Sequence, residues 1–191
     1  MIRRSVALTD EPAPRSTSLV VTAIGRDRPG IVSLLSERAQ GFGANWAGSR
    51  MTSIAGQFAG MVHLQVATAH AAALIAALRG LEAEGLRVVI ARSDAPSAPP
   101  GRRIVELELA APDRPGIVRD LSKHLAAQGV SIEDLDTELA SAAAPNQHLF
   151  KVKAVLVVPE ALSNAALRVS LQTLAHEMMI DIALDENMRS A

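Results

Sequence analysis

Gly25-Arg26-Asp27-Arg28-Pro29-Gly30-Ile31-Val32 decides the fold, because the chain repeats it 86 residues later as Ala111-Pro112-Asp113-Arg114-Pro115-Gly116-Ile117-Val118. Each copy follows an apolar run typical of a strand and precedes a helix-period pattern. Pro near the first helical position loses no hydrogen bond, and Asp before it can cap the first turn. Gly lets the backbone approach a neighbour closely. We therefore predict a tight strand-to-helix turn in each half of the chain.

This turn has two possible meanings. The free N–H groups and the positive dipole end of a helix start suit an anion such as a carboxylate. The same residue types also build a strand-to-helix turn that binds nothing. The turn by itself leaves both interpretations open.

The composition excludes several classes of protein. Hydrophobic residues make up 49% of the 191 positions and charged residues 20%, which is typical of a globular protein. With 19 basic and 20 acidic residues, 2% aromatic content and no Tyr, the chain is not expected to bind nucleic acid directly. It has no Cys, no apolar run of membrane-spanning length and no signal-peptide core at its start. We therefore expect a cytoplasmic protein without a membrane segment.

Hydrophobic periodicity predicts the order βαββαβ in each half. The predicted strands of the first half are 19–24, 45–54, 61–66 and 86–91, with helices after Gly30 and over 71–84. In the second half we expect a strand over 131–139, a helix over 159–177 and a last strand over 179–184. This order predicts an α+β fold of two ferredoxin-like domains, each a four-stranded antiparallel sheet with two helices on one face. The domains are 18–93 and 102–191, with a flexible tail at 1–17 and a Pro-rich linker at 94–101.

The strand alternation also predicts what the open face of each sheet carries. In the second half Glu106 and Glu108 should meet Lys151 and Lys153 across neighbouring strands. The first half is less charged on the same face, which consists of Val20, Thr22, Ile24, Met61, His63 and Gln65. We expect that face to be partly covered by another domain or subunit.

With Asp-Arg-Pro-Gly-Ile-Val twice in matching context, the chain resembles tandem ACT-domain proteins. It is most similar to the glycine cleavage system transcriptional repressor family, through Gly43-Ala44-Asn45-Trp46-Ala47-Gly48-Ser49-Arg50-Met51 and Gly129-Val130-Ser131-Ile132-Glu133-Asp134-Leu135. The resemblance implies a non-catalytic regulator that binds a small amino acid, glycine or serine first, at ACT-domain interfaces. It also implies a homo-oligomer that acts on a protein partner such as a transcription factor.

The resemblance places two candidate ligand sites. The first uses the turn residues Asp27, Arg28, Pro29, Gly30 and Ile31, with Asn45 and Trp46 on the second strand. There the amides of Gly30 and Ile31 would hold a carboxylate and Asp27 would meet an ammonium group. The second uses Asp113, Arg114, Pro115, Gly116, Ile117 and Ser131. Since Ser131 replaces the family's Asn and reaches less far, the second half is either a second site or purely structural.

Other functions have weaker support in the sequence. The chain has no Gly-x-Ser-x-Gly elbow and no phosphate loop. Its five His show no metal-ligand spacing. We therefore expect no catalytic residue, cofactor or metal. An RNA-binding sheet would need aromatic residues on strands one and three, which are absent here. A ligand-independent interaction or oligomerisation module and a regulatory subunit of an amino-acid metabolic enzyme stay open as alternatives.

Overall fold

The computed structural model describes residues 15–93, 102–141 and 148–185. Contacts divide the chain into two units, Met1–Ala95 and Pro96–Ala191, which we call domain 1 and domain 2. The predicted linker and residues 1–14 of the predicted tail lie outside the described residues. No helix in the described ranges is long and apolar enough to cross a membrane.

Each domain has the predicted βαββαβ order. Domain 1 contains β1 (Ser16–Arg26), α1 (Ile31–Gln40), β2 (Asn45–Ile54), β3 (Gln57–Ala67), α2 (Thr68–Arg79), a short 3₁₀ helix (Gly80–Glu84) and β4 (Leu86–Arg92). Domain 2 contains β5 (Arg102–Pro112), α3 (Ile117–Ala127), β6 (Ser131–Ser141), β7 (His148–Pro159), α4 (Asn164–Met178) and β8 (Asp181–Asp185). The predicted fold class, two α+β ferredoxin-like domains, is confirmed.

The two sheets have the same topology. Their strand orders are β2-β3-β1-β4 and β6-β7-β5-β8, and all neighbouring strands are antiparallel. Because successive strand residues point to opposite faces, every second residue of the central strands faces the helices. Accordingly, Val62, Leu64 and Val66 of β3 are buried, as are Val105, Leu107 and Leu109 of β5. One core lies between sheet and helices in each domain.

Several predicted boundaries are wrong by a few residues, among them the start of β3, which begins at Gln57 and not at residue 61. β1 begins at Ser16, so residues 16 and 17 belong to a strand and not to the tail. α2 ends at Arg79, where the chain tightens into the 3₁₀ helix. α4 begins five residues later than predicted, because the Leu162 N–H donates to the Pro159 carbonyl at 3.0 Å in a turn. Ser163 then caps the helix by accepting from the Ala166 N–H at 3.2 Å.

The open faces of the two sheets differ in charge. In domain 2 the predicted cross-strand pair forms, with 3.2 Å between the Lys153 ammonium and a Glu108 carboxylate oxygen. In domain 1, Ile24 and Met61 are 45% and 53% exposed. These exposures count against the expected cover by another domain, and cover by another subunit stays a prediction.

Candidate functional site

The repeated turn of domain 1 is built around Gly30. Its φ of 90° lies in the left-handed region, which Gly enters without steric cost. Gly30 is the N-cap of α1, and its carbonyl accepts the first helical hydrogen bond from the Leu34 N–H at 2.9 Å. No side chain caps this helix start. The first-turn amides and the positive dipole end therefore keep their capacity to receive an anion.

The structure corrects the role predicted for Asp27 but not the position predicted for Pro29. α1 begins at Ile31, so Pro29 lies directly before the N-cap Gly30, near the first helical position. Asp27 does not cap the helix. Its carboxylate accepts a hydrogen bond of 2.6 Å from the Ser53 hydroxyl at the end of β2, and its N–H donates to the Gly56 carbonyl at 2.9 Å. The Asp27 side chain is thus oriented by the β2–β3 corner.

Arg28 is tied to the other side of the domain. Its guanidinium donates to the Glu84 carbonyl at 3.1 Å, at the end of the 3₁₀ helix. The Glu84 carboxylate in turn pairs with Arg38 of α1 at 2.9 Å. The turn is therefore braced from both sides, by Ser53 through Asp27 and by Glu84 through Arg28.

Domain 2 repeats the backbone of this turn. Gly116 has a φ of 99°, and its carbonyl accepts from the Asp120 N–H at 2.9 Å. The Asp113 N–H donates to the His148 carbonyl at 3.0 Å, as Asp27 does to Gly56. Arg114 and Pro115 are exposed and Ile117 is buried, matching Arg28, Pro29 and Ile31 of domain 1.

The side chains around the second turn are different. The first turn of α3 carries Asp120, and its carboxylate pairs with Arg119 at 2.8 Å. A Cβ added to Gly116 would lie 3.4 Å from the Arg119 guanidinium and 3.7 Å from the Asp120 carboxylate. A Cβ added to Gly30 would have no atom within 4 Å. A negative side chain therefore already lies at the second helix start, whereas the first is open.

The residue equivalent to Ser53 is also different in domain 2. Ser53 pairs with Phe58 in the register of β2 and β3, and Leu139 pairs with Phe150 in the register of β6 and β7. Leu139 has no hydroxyl with which to orient Asp113. The second turn thus lacks the contact that positions the carboxylate in the first.

The predicted strand residues lie away from the turns within each domain. Asn45 pairs with Gln65 at one end of the sheet, whereas Arg26 pairs with Gln57 at the other. The length of β2 separates these ends by about 30 Å. Trp46 is half-buried beside Asn45, and Ser131 holds the matching exposed position in β6. One domain therefore does not bring Asn45 and Trp46 to its own turn.

Sequence reasoning missed Ser53, Glu84 and Asp120. Two of them carry a sequence signal, since the 86-residue offset aligns Ser53 with Leu139 and Leu34 with Asp120. A comparison of the two halves at these positions shows where they differ chemically. Glu84 carries no such signal, because its backbone carbonyl is the group that holds Arg28.

The histidines take ordinary hydrogen bonds. His63 lies on the open face of domain 1, as predicted, 2.5 Å from the Ser18 hydroxyl. His124 lies 2.6 Å from the Ser170 hydroxyl. His148 begins β7 and is not in a loop. Within the described ranges, no three His, Asp or Glu side chains gather as a metal site would require.

Comparison with known proteins agrees with this architecture. The family model described as ACT domain matches residues 17–90, which is β1 to β4 of domain 1. Domain 1 therefore matches the ACT-domain family model, which covers fewer than half of the residues of the chain. Domain 2 lies outside the matched residues and has the same βαββαβ order and sheet topology as domain 1. No curated protein sequence matches the chain.

Two solved structures resemble this chain over most of its length. An unknown protein from Galdieria sulphuraria is 29% identical, with a TM-score of 0.80 and coverage of 90% of this chain and 99% of that one. A candidate glycine cleavage system transcriptional repressor is 19% identical, with a TM-score of 0.66 and coverage of 89% and 96%. At that identity the second likeness shows the shared fold alone.

Proposed function

We propose that this protein is a non-catalytic regulator that binds a small amino acid, glycine or serine first, at the turn of domain 1. The observation that carries the proposal is the uncapped start of α1 behind a left-handed Gly30. Three first-turn amides there can donate to a carboxylate, and the helix dipole favours its charge. The first turn of α1 carries no acidic side chain, which leaves the position at its amides to a ligand.

Asp27 supplies the second half of the recognition. The Ser53 hydroxyl orients its carboxylate beside the turn, so that it can accept from the ammonium group of the same ligand. A zwitterion then finds donors and an acceptor within one turn of chain. Arg28 is committed to the Glu84 carbonyl, and we assign it a bracing role there.

Asn45 and Trp46 would complete the site from a second copy of the chain. The end of β2 that carries them is about 30 Å from the turn of its own domain. β2 is an edge strand, and edge strands pair readily with other chains. A two-fold pairing of such edges makes each contact twice, so that one dimer holds two equivalent sites. Ligand binding and dimerisation are then linked.

Domain 2 has a structural role in this proposal. Asp120 places a carboxylate, paired with Arg119, in the first turn of α3, and a ligand carboxylate there would lie close to it. Leu139 leaves Asp113 without the hydroxyl that orients Asp27. Binding by domain 1 alone predicts one ligand per chain.

A regulator without a catalytic group acts by binding another protein, so the proposal includes a protein partner. We propose a transcription factor as that partner and glycine cleavage as the regulated process, supported by the resemblance of the Gly43–Met51 stretch described above. The alternative is a module that associates with proteins independently of any ligand, and the exposed face of domain 1 favours it. The two functions differ in whether an amino acid stabilises the folded chain.

The deciding experiment is a thermal-melting screen against the common amino acids, with the fluorescence of Trp46 as a second readout. Trp46 is the single Trp of the chain, so that its emission reports on domain 1. We expect glycine or serine to raise the Tm, and we expect Gly30→Val to abolish the effect. Gly116→Val is the matched control, because it strains the equivalent turn of domain 2. If no amino acid at millimolar concentration shifts the Tm, or if both variants respond like the wild type, domain 1 is not the sensor.

A further inference from the structure

The open face of the domain 1 sheet combines exposed apolar side chains with positive charge. Ile24 of β1, Met61 of β3 and Val89 of β4 are 45%, 53% and 62% exposed. Arg26 and Arg87 flank them on β1 and β4, at register positions opposite Gln57 and Ile24. No acidic residue occurs at the outward positions of the four strands of domain 1, all of which are described.

The open face of the domain 2 sheet carries the opposite charge. Its outward positions with described side chains include six acidic residues, namely Glu106, Glu108, Asp134, Asp136, Glu138 and Asp181. Of the basic residues on the same face, Lys151 and Lys153 pair with Glu138 and Glu108, and Arg102 is exposed at the start of β5. A shallow groove of about 460 Å³ crosses this face, lined by residues that include Glu108, Lys153 and Asp181.

We infer that these two faces are partners, and that the open face of domain 1 receives the domain 2 face of a second copy of this chain. Packing domain 1 faces on each other would bring Arg26 and Arg87 against like charges, which disfavours that arrangement. Acidic residues of a second copy instead meet the arginines, while Ile24, Met61 and Val89 leave water.

The size of the faces is sufficient for such a contact. Two sheets packed face to face lie about 10 Å apart, and four strands of this length present about 600 Å² each. The total of about 1,200 Å² is at the lower limit of specific interfaces. We therefore expect a concentration-dependent association that weakens as salt screens the charges. This contact uses the sheet faces, whereas the proposed amino-acid site uses a sheet edge, so the two proposals are independent.

The test measures mass against concentration by sedimentation velocity, without added amino acid. One variant reverses the basic face (Arg26→Glu with Arg87→Glu), and another reverses the acidic face (Glu106→Lys with Asp181→Lys). All four side chains are exposed, so we expect unchanged circular dichroism. Each variant alone should associate at least about tenfold more weakly than the wild type, because like charges then face each other.

The decisive arm mixes the two variants. A reversed basic face on one chain is complementary to a reversed acidic face on the other, so the mixture should recover association that neither variant shows alone. The control is Arg79→Glu with Lys123→Glu. It changes the net charge by the same amount as the variant with the reversed basic face, but at exposed helix positions, and it should associate like the wild type.

Four results would overturn the inference. A wild type that stays monomeric at every concentration shows no such contact. A mixture that fails to associate shows a contact within one chain or none. Loss of association only when the basic face is reversed points to pairing of domain 1 faces, and equal loss in the control variant points to net charge alone.

Discussion

Substitution of Gly25, at the start of the domain 1 turn, tests how closely β1 and β4 pack. Gly25 of β1 pairs with Leu86 of β4, and a Cβ added to it would lie 2.6 Å from the Gly85 carbonyl oxygen and 2.9 Å from the Leu86 side chain. The atom nearest to the added methyl group belongs to the backbone, which cannot rotate away as a side chain can. Gly25→Ala therefore has to separate β1 from β4. That movement also displaces the adjoining Glu84 carbonyl, which holds Arg28.

The expected cost follows from this overpacking. Forcing a methyl group into a well-packed site costs about 1–3 kcal/mol. For a domain of this size the Tm should therefore fall by roughly 5–20 °C. Trp46 fluorescence during heating isolates the transition of domain 1, since domain 2 has no Trp.

The matched control is Gly48→Ala in β2 of the same domain. A Cβ at Gly48 meets nothing within 4 Å, and Gly48 does not have a positive φ. The control should stay within about 0.5 kcal/mol of the wild type. Equal melting of the two variants would refute the argument that contact between β1 and β4 requires Gly25.

Three further predictions concern the helices. Gly30→Ala should cost domain 1 about 1–2 kcal/mol, because a φ of 90° is strained for Ala although its methyl has space; an unchanged melting transition of Trp46 would contradict this. Ser163→Ala should cost domain 2 about 1 kcal/mol, through loss of the cap on the Ala166 N–H. Denaturant unfolding followed by circular dichroism measures it, and a shift of the Trp46 transition instead would show that the effect is not confined to domain 2. Leu125→Ala should cost about 2–5 kcal/mol, because Leu125 is fully buried in the domain 2 core. A loss below about 1 kcal/mol in the same unfolding experiment would mean that this core tolerates the cavity.

Most of the fold was predictable because it rests on short-range patterns. β2 spans Asn45–Ile54 as predicted, since turn-prone glycines bound it on both sides. Boundaries failed where competing local bonds decided them, as at Ser163, whose hydroxyl starts α4 after a turn that the sequence pattern had merged with the helix. The site was predictable only in part, because its turn is local and the partners of its side chains are distant in sequence.

The sequence by itself determined the two strand–turn–helix units, the inward residues of the central strands and the opposite charges of Glu108 and Lys153. These follow from backbone periodicity and from residue spacing, and both are properties of the sequence itself. Only the tertiary structure decided that Asp27 bonds to Ser53, that Arg28 bonds to the Glu84 carbonyl, and that Asn45 lies about 30 Å from its own turn. The physical reason is that sheet register and chain reversal set these distances, and neither is a property of any local stretch of residues.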